Sequence, residues 1–336
     1  MIWLLVDSRT VGGIERHVAT LAQALERHGE AAKGVLYAAH PTKPWLTQLE
    51  AASVPYQSLN GTFQALRRAV AEDKPDLIHT HGYKANILGR LVGRGAGIPV
   101  VATFHAGERA PFPVSLYQTV DEWTSAVGGR IAVSEMIKQS LPYSSTFVQN
   151  FLIVPPKPQA QALPRRIGFV GRLSFEKGPD TFCEIARRCQ DLGEWHIWGD
   201  GPMRLELEQA FGEVTFHGLV TDLAPVWRSL GLLMMPSRAE GLPMAALEAL
   251  CAGVPIAASA VGGLPSLVTE GKTGWLFDAG QVEAAVQVVR KWAALETDAQ
   301  LAIRAACWEH VSSGFSEGQQ LPKIIEVYRA AGLKRH

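Results

Sequence analysis

The run I-W-L-L-V at residues 2–6 gives way to the amphipathic stretch I-E-R-H-V-A-T-L-A-Q-A-L-E at residues 14–26. An unbroken apolar run suits a strand buried on both faces, whereas Val18, Leu21 and Leu25 recur at helical spacing. The alternation continues: a strand at 34–37, helices near 45–52 and 63–71, a strand at 76–80, a helix through 87–91 and a strand at 99–104. Strands and helices in this order predict an α/β protein with a parallel sheet covered by helices. The second half repeats the scheme with strands at 167–171, 195–199, 214–217, 232–236 and 254–258.

Between the halves lies F-L-I-V-P-P-K-P-Q-A-Q-A-L-P at 151–164, too rich in proline for a helix or a central strand. The expected division is a first domain over 1–152, a linker over 153–164, a second domain over 165–317 and a last helix within 318–336. Residues 312–316, S-S-G-F-S, read as a turn before that helix.

A chain of 336 residues with 47% hydrophobic content is long enough for two cores. Its formal net charge of zero removes any bulk electrostatic case for nucleic acid. The four cysteines form no C-x-x-C pair, which suits inert, reduced thiols in the cytoplasm. The apolar start is short and has no basic flank, so it reads as a strand and not a signal peptide. No apolar run approaches the roughly 20 residues that span a bilayer, so the expectation is a soluble chain, or one resting on the cytoplasmic face of a membrane.

The richest chemical signal is E-G-L-P-M-A-A-L-E, from Glu240 to Glu248. Gly241 breaks the chain, Pro243 suits a first helical turn, and Met244, Ala245 and the residues after them propagate a helix. Glu240 therefore sits in the entry loop and Glu248 inside the helix, on the order of 12 Å apart at 1.5 Å per residue. The helix N-terminus between them, with Leu242 at its entrance, attracts an anion. A phosphate flanked by acceptors for two sets of hydroxyls describes a nucleotide-sugar.

Other candidates follow strands, where doubly wound domains bind ligands. G-R-L-S-F-E-K-G (171–178) places Arg172 and Lys177 between Gly171 and Gly178, suiting a diphosphate. Gly12 and Gly13 lie between the first strand and the first helix, without the third glycine of a dinucleotide fingerprint. Gly201 falls in the glycine turn after the strand at 195–199, and Val220, after His217, stands where a base could lie. The turn at 262–266, G-G-L-P-S, reads as scaffold. His105 ends the strand at 99–104 and reads as a hydrogen-bond donor to a sugar hydroxyl. His79 and His81 share one strand face without a nearby acidic ligand and read as structural, so no metal is expected. Neither G-x-S-x-G nor D-x-D occurs.

Together, G-G-I-E-R-H, T-F-H, G-R-L-S-F-E-K-G, G-D-G-P, F-H-G-L-V, E-G-L-P-M-A-A-L-E-A-L-C-A-G-V-P and V-G-G-L-P resemble the retaining GT-B glycosyltransferases of family 4, over nearly the whole chain. The resemblance implies two Rossmann-like domains with parallel sheets facing across a cleft, and a last helix crossing back to the first domain. It implies transfer from a nucleoside-diphosphate sugar with retained configuration; the absence of D-x-D, the usual carboxylate handle for a metal on a nucleotide diphosphate, predicts that no metal or other cofactor is required. Arg172 and Lys177 would hold the diphosphate, Glu240 the sugar and Glu248 the ribose, while His105 would reach the sugar and Gly13 border the diphosphate. Ser266 stands where the family often has Glu, and Asn150-F-L-Ile153 replaces a frequent N-G-[IV]-D turn. The acceptor implied is a glycan or a lipid-linked sugar in cell-envelope polysaccharide or lipopolysaccharide assembly. Lys84, Arg90, Arg94 and Arg109, with the apolar stretch at 111–117, offer a surface for it. The rival readings are a sugar-nucleotide epimerase or phosphorylase, or a catalytically silent nucleotide-sugar-binding protein.

Overall fold

A computed structural model describes residues 1–7, 13–38, 49–50, 53–105, 114–220 and 222–334. The chain divides into two compact units, one of Met1–Ile153 with Glu317–His336, the other of Val154–Ser316.

The first unit is built on a parallel sheet. Its strands are β1 (Ile2–Val6), β2 (Ala32–Leu36), β3 (Tyr56–Ser58), β4 (Leu77–His81), β5 (Val100–Phe104), β6 (Gly129–Ala132) and β7 (Thr146–Phe147), in the spatial order β3-β2-β1-β4-β5-β6-β7. The order reverses between β1 and β4, the switch point of a doubly wound sheet. The strands read as continuous apolar runs because helices cover both faces. Helix α1 (Gly13–Arg27) lays Val18, Leu21 and Leu25, all fully buried, against Ile2, Leu4 and Leu77. Helices α2 (Phe63–Asp73), α3 (Tyr83–Ala96), α4 (Val114–Thr124) and α5 (Glu135–Ser140) follow. Thr62 and Ser134 cap α2 and α5, each accepting from the amide three residues on.

The second unit repeats the plan. Strands β8 (Arg166–Val170), β9 (Glu194–Trp198), β10 (Val214–Phe216), β11 (Leu232–Met235), β12 (Ile256–Ser259) and β13 (Gly274–Phe277) form a sheet in the order β10-β9-β8-β11-β12-β13, again parallel. Its switch point lies between β8 and β11. The helices are α6 (Pro179–Arg188), α7 (Arg204–Ala210), α8 (Ala224–Ser229), α9 (Met244–Cys251), α10 (Val282–Ala293) and α11 (Thr297–Gly314). The proline-rich segment is tied to this unit: the Leu163 amide donates to Gln300, and the Trp308 indole to the Pro155 carbonyl. All four cysteines are free and buried.

Helix α12 (Glu317–Ala331) belongs to the first unit and buries Leu321, Ile324 and Tyr328 in its core. The expected turn at 312–316 is a correction: α11 runs through Gly314, and the chain leaves the helix only at Phe315. The helix expected near 45–52 falls largely outside the described residues. Among the described residues no helix is long and apolar enough to cross a membrane.

Candidate functional site

Two loops flank the switch point of the second unit. After β8, residues 171–174 lead into a 3-10 turn at Phe175–Lys177 and then, through Gly178, into α6. After β11, residues 236–243 lead into α9. Gly178 has φ of 68°, and a Cβ there would stand 2.1 Å from the Pro236 carbonyl oxygen, so only glycine lets the loops meet.

Arg238 fastens them. Its guanidinium makes a bidentate pair with Asp180 (2.8 and 2.6 Å), donates to the Phe175 carbonyl (2.8 Å) and lies over the Phe175 ring. Its amide donates to the Glu176 carbonyl at 2.8 Å. The result brings Lys177 Nζ to 2.7 Å from Glu240 Oε1, which also accepts from the Ser237 hydroxyl at 3.0 Å. The Glu240 side chain is only 4% exposed, against 32% for Lys177. Arg172 is exposed, and no carboxylate among the described residues lies within ion-pair distance of it. One cation is thus committed to a carboxylate and a second is open to an anion.

The scaffold reading of the turn at 262–266 acquires a geometry. A Cβ on Gly262, whose φ is 56°, would fall 1.7 Å from the Glu240 carbonyl oxygen, and the Gly263 amide donates to the Gly241 carbonyl at 2.7 Å. Gly201 serves the β8 loop in the same way, since a Cβ there would meet the Leu173 carbonyl at 2.5 Å. The Gly171 amide donates to Trp198 and the Leu173 amide to Asp200, tying the loops after β8 and β9 together. Val220 is half-buried, beyond His217, whose ring stacks on Trp198 at 4.7 Å and 7°.

Pro243 stands at the N-cap of α9, just outside the first turn where it was expected, with no side-chain cap bond. Leu242 and Met244 are buried side chains, whereas Gly241 and Ala245 are half-buried. Glu248 lies inside α9 and accepts from the Trp227 indole at 3.2 Å.

In the first unit, Gly13 opens α1 and is exposed, and Gly12 lies outside the described residues. His105 follows β5 with its Nε2 3.0 Å from His81 Nδ1. Desolvation, helped by neighbouring imidazoles, holds both rings well below the usual histidine range, so they are neutral at neutral pH. His79 is structural as expected, one nitrogen facing the Tyr328 hydroxyl and the other Thr103, both at 2.7 Å. Arg90 is a correction: it is 4% exposed, ion-paired with Asp121 and bonded to Thr124, and presents no surface charge. Lys84 lies over the Tyr37 ring and Arg94 is exposed, while Arg109 and residues 111–113 lie outside the described residues.

Sequence reasoning missed Arg238, Trp227 and His17. An arginine in a polar loop reads as solvated, and nothing local announces Asp180 as its partner. His17 had a weak signal, because it shares the buried face of α1 with Val18 and Leu21.

Two family models match: "Glycosyltransferase Family 4" over residues 11–142 and "Glycosyl transferases group 1" over residues 164–294. The chain is 25% identical to D-inositol 3-phosphate glycosyltransferase 1 of Catenulispora acidiphila, covering 76% of this chain and 72% of that one. It is 26% identical to the phosphatidyl-myo-inositol mannosyltransferase of Mycobacterium leprae, covering 96% and 95%. Anabaena HepE in complex with UDP-glucose superposes with a TM-score of 0.84 at 19% identity, covering 98% of this chain and 100% of that one. That likeness establishes a GT-B fold.

Proposed function

The chain belongs to the GT-B glycosyltransferases of family 4, and from that premise we propose that it moves a sugar from a nucleoside-diphosphate donor to a glycan or lipid-linked acceptor, with retained anomeric configuration. The observation that carries this reading is the group of Lys177, Glu240 and exposed Arg172 at the switch point of the second unit. Two cations and a nearly buried carboxylate, followed by the N-terminus of α9, suit a diphosphate attached to a polyol.

In this reading Arg172 and Lys177 hold the diphosphate and neutralise the charge that develops as it leaves. Backbone amides from Gly241 to Ala245 help to cap it. Glu240 turns from Lys177 to the hydroxyls of the transferred sugar, and Glu248 accepts from the ribose. His105, neutral, donates to a sugar hydroxyl, and Gly12 and Gly13 border the diphosphate. Gly171, Gly201 and Val220 line the nucleoside by backbone. The positive charge comes from side chains, so transfer proceeds without a metal. The acceptor hydroxyl attacks on the face the diphosphate leaves.

The Mycobacterium leprae relative carries a lipid in its name, which supports a lipid-linked acceptor and cell-envelope assembly on the cytoplasmic face of a membrane. So do the exposed Leu116, Tyr117 and Trp123 of α4, an apolar and aromatic face suited to a lipid headgroup boundary. The epimerase, phosphorylase and silent-binder readings are not favoured, since the matched relatives are glycosyltransferases.

The test is a thermal-shift screen of nucleoside-diphosphate sugars, then transfer to lipid-linked and soluble acceptors in the presence of a chelator, with the product's anomeric configuration read by NMR. A product of inverted configuration, or transfer abolished by the chelator and restored by a divalent ion, overturns the corresponding part of the reading.

A further inference from the structure

Four imidazoles meet in the first unit. His79 and His81 stand two residues apart on one face of β4, His105 follows the neighbouring β5, and His17 reaches them from α1. The His17 ring centroid lies 5.6 Å from that of His81 and 5.1 Å from that of His105, and the His81 and His105 centroids are 5.3 Å apart. His79 is spoken for by Tyr328 and Thr103. The other three each place a ring nitrogen so that these atoms lie within 4.8 Å of one another. His17 Nδ1 and His81 Nε2 are enclosed and have no hydrogen-bond partner among the described residues, and these side chains are 3% and 0% exposed.

A buried ring nitrogen without a partner is costly, and here it occurs twice in one cluster. The three rings offer lone pairs and no carboxylate among themselves, which selects borderline-soft ions and disfavours magnesium and calcium, both of which demand oxygen. His105 is only half-buried, leaving a side open for a fourth ligand.

We propose that His17, His81 and His105 form a binding site for a divalent transition-metal ion of the zinc class, with water or a substrate oxygen as fourth ligand. Nitrogens about 2.1 Å from a tetrahedral ion stand about 3.4 Å apart. The ligand nitrogens of the three rings lie within 4.8 Å of one another, and closing that span around such an ion takes a side-chain adjustment of roughly an ångström. Transfer does not need this ion. Because His105 is read above as a sugar contact, an inference that rests on that reading, metal binding withdraws the imidazole from the donor and inhibits.

The test uses the full chain stripped by chelator and titrated with Co2+, followed by displacement with Zn2+. The expected result is one equivalent of Co2+ with the visible bands of a tetrahedral nitrogen site, bleached by Zn2+. His17→Gln and His105→Gln, checked for a cooperative melt, each weaken binding at least about ten-fold. Wild-type chain without the bands, or unchanged affinity in both folded variants, overturns the site. Loss of transfer as Zn2+ fills the site supports the link to His105, and full transfer at saturating Zn2+ overturns that link alone. If no donor or acceptor gives transfer while cobalt binds as described, the functional reading fails and the metal site stands.

Discussion

Lys177 Nζ rests 2.7 Å from the Glu240 carboxylate, so the cation proposed for the diphosphate and the carboxylate proposed for the sugar hold each other in place. The Ser237 hydroxyl shares that carboxylate, and Arg238 locks the loop carrying Lys177. A ligand that takes both groups must exchange this pair for two new contacts. The exchange links nucleotide affinity to the presence of Glu240.

Replacing Glu240 with Gln should therefore tighten binding of the bare nucleoside diphosphate, because Lys177 no longer has an internal anion, while turnover falls by about ten-fold or more. Lys177→Ala and Arg172→Ala should lower turnover by about two orders of magnitude each. Calorimetric titration of the nucleotide beside a transfer assay separates these effects. Weaker nucleotide binding in the Gln variant overturns the exchange, and unchanged turnover in the double Ala variant overturns the cation assignment.

Gly262 lies under Glu240. A methyl there would stand 1.7 Å from the Glu240 carbonyl oxygen at φ of 56°, so Gly262→Ala must displace the loop. Gly271, at φ of 68° with nothing within 4 Å of its Cβ position, isolates the backbone effect alone. Gly271→Ala should cost about 1 kcal/mol, and Gly262→Ala about 2–3 kcal/mol together with loss of transfer. Chemical denaturation of both variants checks this, and equal costs would mean that the loop yields without resistance.

Arg90 and Asp121 join α3 to α4 inside the first unit, with Asn86 donating to the same carboxylate at 2.8 Å. Burial raises the Asp121 carboxyl to about 6 despite the opposing pull of Arg90. Arg90→Met should destabilise by about 3–5 kcal/mol because it leaves a buried carboxylate unpaired, whereas the double change with Asp121→Leu should recover most of the loss. Denaturation midpoints of the single and double variants measure it. A double variant as unstable as the single one would show that the pair is strongly stabilising in itself.

The strands of both sheets that flank the switch points were legible because strands buried on both faces read as apolar runs. Tyr56–Ser58 was not, since a three-residue edge strand has too short a pattern. Val114–Thr124 escaped for a different reason: it exposes Leu116, Tyr117 and Trp123 while burying Gln118 and Asp121, so its periodicity points the wrong way. In the candidate site, Arg172, Lys177, Glu240 and Glu248 stood out because they lie beside glycine turns and a helix start. Their supports did not. Arg238 acquires meaning only through Asp180, Trp227 only through Glu248, and Gly262 only through a carbonyl it nearly touches, all relationships made by folding.

The histidine cluster gives the first unit a pH dependence of definite sign. Desolvation lowers His17 to about 4, and the same cause, with His17 adding to it, takes His79 to about 3; His81 and His105 also move well down. Each ring is neutral in the fold but takes a proton in the unfolded chain near the ordinary value of about 6.5. Below that pH the unfolded state binds more protons, so the contribution is fully present above pH 6.5 and is lost as pH falls toward the folded values. Asp121 acts in the opposite sense between about 6 and its ordinary value, because there the folded state binds the extra proton. The histidines outnumber it, so stability should fall between pH 6.5 and 4.5, by about 1.4 kcal/mol per pH unit for each net proton. His17→Phe, placed against Phe151, removes one such proton and should flatten the slope by about that amount. Denaturation midpoints for both chains at pH 7.5, 6 and 5, chosen to bracket the ordinary value of about 6.5, measure it. Identical slopes for the two chains would show that His17 is already protonated in the fold, against the burial that surrounds it.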